Sequence, residues 1–79
     1  MPHYYFHLHN DGEFPDEEGV DLPNAAAAHV HAIGEAREMI CEEVNNGRLD
    51  LDHSIEIEDE QGGRTFVHFR DAFTLTGLG

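Results

Sequence analysis

One stretch of the chain decides the fold: residues 22–47, with the sequence LPNAAAAHVHAIGEAREMICEEVNNG. Asn24 stands before four alanines and is the expected N-cap of a helix, while Gly47 supplies the left-handed residue that commonly ends one. The stretch therefore predicts a helix from Ala25 to Asn45. Spacings of three, four and seven residues predict its buried apolar stripe, which consists of Ala26, Val30, Ile33, Ile40 and Val44.

Three strands are predicted around this helix. Residues 1–9 are rich in aromatic side chains, residues 54–58 alternate apolar and acidic side chains, and residues 64–70 follow a turn with two glycines. The acidic segment at residues 11–21 is expected to form an ordered loop that leads into the helix, and residues 19–22 are candidates for a short extended piece within it. Alternation along the strands predicts which side chains face the helix: Tyr4, Phe6, Leu8, Ile55, Ile57, Val67 and Phe69.

The order of these elements predicts an α+β fold with the connectivity β-α-β-β. A right-handed crossover through the helix would place the second strand parallel to the first, and the third strand would fit between them, antiparallel to both. This gives a three-stranded sheet of order 1-3-2, with the third strand central and one long helix packed on one face. Residues 1–73 are expected to form a single domain, and residues 74–79 a flexible C-terminal tail.

Composition excludes several classes of protein. The 79 residues carry 17 acids against four arginines and no lysine, a formal charge of −13. Like charges repel, so nucleic-acid phosphates and anionic lipid are not expected as direct partners. No apolar run approaches a membrane span, the N-terminus lacks the pattern of a signal peptide, and the lone Cys41 permits no internal disulfide. We therefore expect a cytoplasmic protein.

Four motifs follow one another along the chain: MPxYYFH at residues 1–7, DEEGxxLP at residues 16–23, the alanine-rich helix, and FRDA at residues 69–72. In this combination the chain resembles a family of short bacterial proteins known only as a domain of unknown function. The resemblance covers nearly the whole chain. It implies a free-standing cytoplasmic bacterial domain with no established activity, and it supplies no catalytic residues.

The face of the predicted sheet away from the helix has no element to cover it. Uncovered aromatic patches are commonly interfaces, so we expect a non-enzymatic interaction or regulatory module that self-associates, most simply as a homodimer, and no cofactor. Another protein partner is left open. Protonation of the histidines is expected to separate the oligomer between about pH 7 and about pH 5.5. The residues expected at this interface are His3, Tyr5, His7, His9, Phe66, His68 and Arg70.

Two alternative functions remain open at the level of sequence. Histidine accounts for seven of the 79 residues, and His7, His9 and His68 are candidate ligands for Zn²⁺ or Ni²⁺. The acidic composition also suits a nucleic-acid mimic that occupies a basic protein surface. Calcium loops starting at Asp16 or Asp50 lack the Gly and Glu that an EF-hand needs at its sixth and twelfth positions.

Overall fold

The helix begins and ends where the sequence predicts. In the computed structural model, which describes residues 1–77, helix α1 spans Ala25–Asn45. The side-chain oxygen of Asn24 accepts a hydrogen bond from the Ala27 N–H at 2.9 Å. Gly47 has a φ of +83°, the left-handed conformation expected after a helix. Local capping chemistry is therefore sufficient to set both ends of α1.

Five strands form one sheet in which every neighbouring pair is antiparallel. The sheet order is β2-β1-β4-β5. Both β2 and β3 pair with the same edge of β1: β2 pairs with its end, at Leu8 and His9, and β3 with its start, at His3 and Tyr4. The strands are β1 (His3–His9), β2 (Glu13–Phe14), β3 (Val20–Asp21), β4 (Ser54–Asp59) and β5 (Arg64–His68).

The α+β class and the single long helix are confirmed, but the predicted three-stranded sheet of order 1-3-2 is wrong. The predicted second strand, β4, lies directly beside β1 and is antiparallel to it, and the predicted third strand, β5, lies beyond β4. The reason lies in residues 11–21, which contribute β2 and β3 and return the chain to the start of β1, where Leu22 N–H donates to the Pro2 carbonyl at 2.9 Å. Because α1 then runs in the same direction as β1, the next strand must come back antiparallel.

The core lies between α1 and the sheet. The sheet supplies its large side chains, and the helix supplies Ala28, Ala32 and Ala36. The predicted helix stripe is therefore right only in part: Ile33 and Ile40 are half-buried and pack against the core, but Val30 and Val44 are 71% and 56% exposed. Alanines at every fourth position let the helix backbone approach the sheet closely, and the sheet side chains fill the remaining space. All of the predicted inward sheet residues except Leu8, which is half-buried, are buried.

The chain leaves the sheet earlier than predicted. β5 ends at His68, and residues 69–71 form a single 3₁₀ turn whose Phe69 is fully buried. Residues 74–77 have no helix or strand, while residues 78–79 of the predicted tail lie outside the described residues. Within residues 1–77, α1 is too polar to cross a membrane, and no other helix is long enough.

Candidate functional site

The sheet face opposite α1 is built by direct pairing across β1, β4 and β5. Paired residues of adjacent strands share a face, so the register arranges three rows of side chains across it. No helix or strand formed by residues 1–77 packs over these rows. We call this surface the open face; its residues are Tyr5, Glu58 and Arg64 in one row, His7, Glu56 and Phe66 in the next, and His9, Ser54 and His68 in the third.

Two imidazoles of β1 are bonded to carboxylates of β4 on the open face. Nε2 of His7 lies 2.8 Å from Oε1 of Glu58, and Nε2 of His9 lies 2.7 Å from Oε1 of Glu56. The guanidinium of Arg64 lies 3.1 Å from Oε2 of Glu56 and 3.7 Å from Oε2 of Glu58. Histidine, glutamate and arginine thus form one network across three strands, in which the imidazoles are hydrogen-bonded to the carboxylates and Arg64 forms ion pairs with them.

Glu56 is the buried member of this network. It is only 5% exposed although it points away from the core. Its Oε1 is bonded to His9, whereas its Oε2 makes an ion-pair contact with Arg64 whose angles do not form a hydrogen bond. A buried carboxylate is tolerated only when polar or charged partners stabilise it, and for Glu56 these partners are His9 and Arg64.

Asp16 holds His7 in one tautomer. The Asp16 N–H donates to Nδ1 of His7 at 2.9 Å, so the ring proton lies on Nε2 and is donated to Glu58. The Asp16 carboxylate in turn accepts the backbone N–H groups of Phe6, Glu18 and Gly19. Burial alone would raise the pKa of Asp16, but these N–H groups and the nearby His7 outweigh it and lower that pKa.

The remaining predicted interface residues lie at the rim or off the face. His3 lies at the edge beside β3, where Nδ1 is 2.7 Å from Oδ1 of Asp21 and Nε2 bonds the Glu18 carbonyl. The bond to Asp21 and then the one to Glu18 raise the pKa of His3. Arg70 is not on the open face, because the 3₁₀ turn after β5 directs it toward Asp52 and the Leu51 carbonyl.

The predicted metal ligands are not brought together. β4 lies between β1 and β5, so His68 is one strand away from His7 and His9. The ring nitrogens of His7 are both engaged, by Asp16 and Glu58. Metal binding by these three histidines therefore stays a prediction.

A different cluster of ligating groups lies where α1 ends and β4 begins. Nε2 of His53 is 3.5 Å from Oδ1 of Asp11 and 3.4 Å from Oδ2 of Asp50, and Nδ1 is 2.7 Å from Oε2 of Glu43. Burial disfavours a charged His53 ring, but the bond to Glu43 and the surrounding carboxylates outweigh it, so the pKa of His53 is raised. Sequence reasoning missed this cluster because Asp11 is distant in the chain from the other members, although the three-residue spacing of Asp50 and His53 was a signal.

Comparison with known proteins identifies a family and no activity. A family model described as a domain of unknown function (DUF6894) matches residues 3–73. The match spans α1, all five strands, the open face and the cluster around His53. No curated protein and no solved structure matches the chain. Any function must therefore be inferred from the geometry of these two surfaces.

Proposed function

We propose that this chain, which belongs to the DUF6894 family of domains of unknown function, is a small interaction module that self-associates through its open face. The four sequence motifs predict such a family, and that prediction is confirmed. One observation carries the proposal: α1 covers one face of the sheet, while the other face holds aromatic and histidine side chains that no element of residues 1–77 covers.

Phe66 is the main apolar contact that this face offers. It occupies the middle position of β5, directly opposite the buried Glu56, and is 52% exposed. Tyr5 and His9 provide flat rings on β1, on the other side of β4, and the His9 and Phe66 ring centroids lie 6.0 Å apart. Accessible aromatic side chains surrounded by polar groups are typical of the centre of an interface.

The charges on the open face support association rather than opposing it. Glu56 and Glu58 both pair with Arg64, and each also accepts a hydrogen bond from a histidine of β1. A partner that covers this surface would therefore not bury an unpaired carboxylate. Only Glu56 and Glu58 of the 17 acids lie in the rows of the open face, so contact between two such faces brings few carboxylates together.

The size of the face predicts a weak dimer. The longest strand, with seven residues, is about 23 Å long, and the three strands of the open face are together about 14 Å wide, which gives about 330 Å² per copy. This area is below that of standard specific interfaces and is typical of weak, transient ones, so we expect a dimer that dissociates at micromolar concentration.

Sedimentation velocity of the wild-type chain and two matched variants tests the proposal. We expect the 8.9 kDa chain to form dimers above about 10 µM, and Phe66→Glu to remain monomeric because it places a charge in the apolar centre. Val30→Glu makes the same type of change on the exposed side of α1 and should leave the dimer unchanged.

Two results would contradict the proposal. A wild-type chain that remains monomeric at every concentration would show that the open face does not self-associate. Loss of the dimer in Val30→Glu but not in Phe66→Glu would place the interface on the helix instead.

A further inference from the structure

The cluster around His53 is separate from the open face and has a different chemistry. We propose that it binds one divalent transition-metal ion, Zn²⁺ by its geometry, through Nε2 of His53 and one carboxylate oxygen each of Asp11 and Asp50. The site does not depend on the proposed function, because none of its residues belongs to the open face.

The His53 ring is held as a metal-binding imidazole would be. The residue is only 9% exposed, and its Nδ1 is bonded to Oε2 of Glu43 at 2.7 Å. Its Nε2 makes no hydrogen bond to any group of residues 1–77, and the residue lines a pocket of about 250 Å³. Metal-ligating histidines characteristically donate one ring N–H to a carboxylate, which leaves the other nitrogen free for the ion.

The distances fit a small tetrahedral ion. Nε2 of His53 lies 3.5 Å from Oδ1 of Asp11 and 3.4 Å from Oδ2 of Asp50, and the ligand atoms of all three residues lie within 4.8 Å of one another. A tetrahedral Zn²⁺ with bonds of about 2.0–2.1 Å keeps its ligand atoms about 3.3–3.4 Å apart. The imidazole nitrogen argues against Ca²⁺, which takes oxygen ligands.

The charge of the cluster also favours a divalent ion. Asp11, Asp50 and Glu43 surround one imidazole, and within residues 1–77 none of these carboxylates has another cation within 4.0 Å. Arg48 lines the same pocket but forms no such ion pair among the described residues. Three carboxylates beside one imidazolium leave a net charge of −2, whereas a divalent ion bound to the neutral imidazole reduces the net charge of the same set to −1.

Glu43 positions two of the ligands at once. Its Oε1 accepts the Asp50 N–H at 3.0 Å, while its Oε2 holds the His53 ring. The other oxygen of Asp50, Oδ1, is occupied by the Asp52 N–H, so Oδ2 is the oxygen left for an ion. The pocket leaves a fourth coordination position for water, as in zinc sites with three protein ligands.

Calorimetric titration with Zn²⁺ at about pH 7.5 tests the site, in a Cys41→Ser background because the exposed Cys41 thiol would bind zinc by itself. We expect one ion per chain. Asp11→Asn and Asp50→Asn should each weaken binding at least about 100-fold, and Glu43→Gln by about 10–100-fold because it only positions other groups. Asp52→Asn removes the same charge two residues from Asp50, outside the cluster, and should bind as the parent does.

Histidine side-chain NMR distinguishes metal binding from a purely structural role of His53, because only a bound ion changes the chemical shift of the ring nitrogen. Zn²⁺ should shift Nε2 of His53 and leave the His7 and His9 rings unchanged. Three results would overturn the proposal: no binding at about 100 µM Zn²⁺, binding that survives both aspartate substitutions in folded variants, or Ca²⁺ binding as tightly as Zn²⁺ without a shift at His53. Far-UV circular dichroism of each variant identifies any that has failed to fold.

Discussion

Among single residues, Asp16 does most to hold the acidic segment against the sheet. Its carboxylate accepts three backbone N–H groups, and its own N–H is donated to His7. Gly19 follows with a φ of +70°, and a Cβ there would lie 2.7 Å from the Tyr4 carbonyl oxygen and collide with the His3 ring. The DEEG motif is therefore explained by backbone geometry: an acid to accept the N–H groups and a glycine to pass close to β1.

We expect Asp16→Ala to lower the free energy of unfolding by about 2 kcal/mol at neutral pH, because hydrogen bonds to a charged group are lost. Since the folded protein lowers the pKa of Asp16, this contribution is complete above the ordinary Asp pKa of 3.8 and disappears as the pH falls through the lower folded value. Urea denaturation at neutral and acidic pH measures both effects.

Glu17→Ala is the matched control for this experiment, because the Glu17 side chain is exposed and makes no hydrogen bond within residues 1–77. It should change stability by less than about 0.5 kcal/mol. Equal stability of the two variants at neutral pH would contradict the role assigned to Asp16.

At the scale of elements, the buried side chains of α1 are small, so the helix packs close to the sheet and adds little volume to the core. Ala32 and Ala36 are completely buried, and the apolar volume opposite them comes from the sheet, including Phe6. A larger residue at these positions has no space without moving the helix. The exposed Val30, two residues away, has no such restriction.

We therefore expect Ala32→Leu to destabilise the protein by about 1–3 kcal/mol through overpacking. Val30→Leu adds a similar side chain on the solvent side and should be nearly neutral. Midpoints of urea unfolding with an unchanged slope measure the difference. If Ala32→Leu were as stable as Val30→Leu, α1 would not be closely packed on the sheet.

The features of the fold that depend on neighbouring residues could be predicted from sequence, and those that depend on packing between elements could not. The ends of α1 depend on Asn24 and Gly47, which act locally, and they were predicted correctly. The buried side of α1 depends on how the helix packs on the sheet, and the spacing of its larger apolar residues indicated a stripe of which only Ile33 and Ile40 contact the core. β2 and β3 have two residues each, too few for any alternation, so the sheet order that depends on them was also missed.

In the candidate sites too, side chains placed by one strand could be predicted, whereas groups brought together from separate segments could not. Alternation correctly places Tyr5, His7 and His9 on the open face, but it fails for Arg70, where a 3₁₀ turn ends the strand. In the cluster around His53, Asp50 and His53 are three residues apart in one loop, but no spacing in the sequence connects them to Asp11, which lies in a turn more than thirty residues earlier.

For the whole molecule, the distribution of charge matters more than its total of −13. With neutral imidazoles, the open face carries two carboxylates and one guanidinium, a net charge of −1. Protonation of His7, His9 and His68 would change this to +2, while the rest of the surface remains acidic. The proposed dimer therefore brings together a surface that carries three of the seven histidines.

We expect the dimer to dissociate as the pH falls from about 7 to about 5.5, because two positively charged faces would then oppose each other. Protonation of His7 at Nδ1 would also break its hydrogen bond with the Asp16 N–H. The carboxylates that face these rings, and that offset part of the new charge, come from every neighbouring element: Glu58 for His7, Glu56 and Glu13 for His9, and Asp71 for His68.

The monomer should survive this change. The folded protein raises the pKa of His3, so the stability that His3 contributes is complete below its ordinary pKa of 6.5 and is lost only as the pH rises through the higher folded value. Acidification to about pH 5.5 also leaves Asp16 ionised, since its pKa is lowered.

Sedimentation velocity across this range should show dissociation while far-UV circular dichroism stays constant. Association that strengthens steadily toward pH 5.5 would instead mean that loss of the overall negative charge dominates and that the histidines do not lie at the interface.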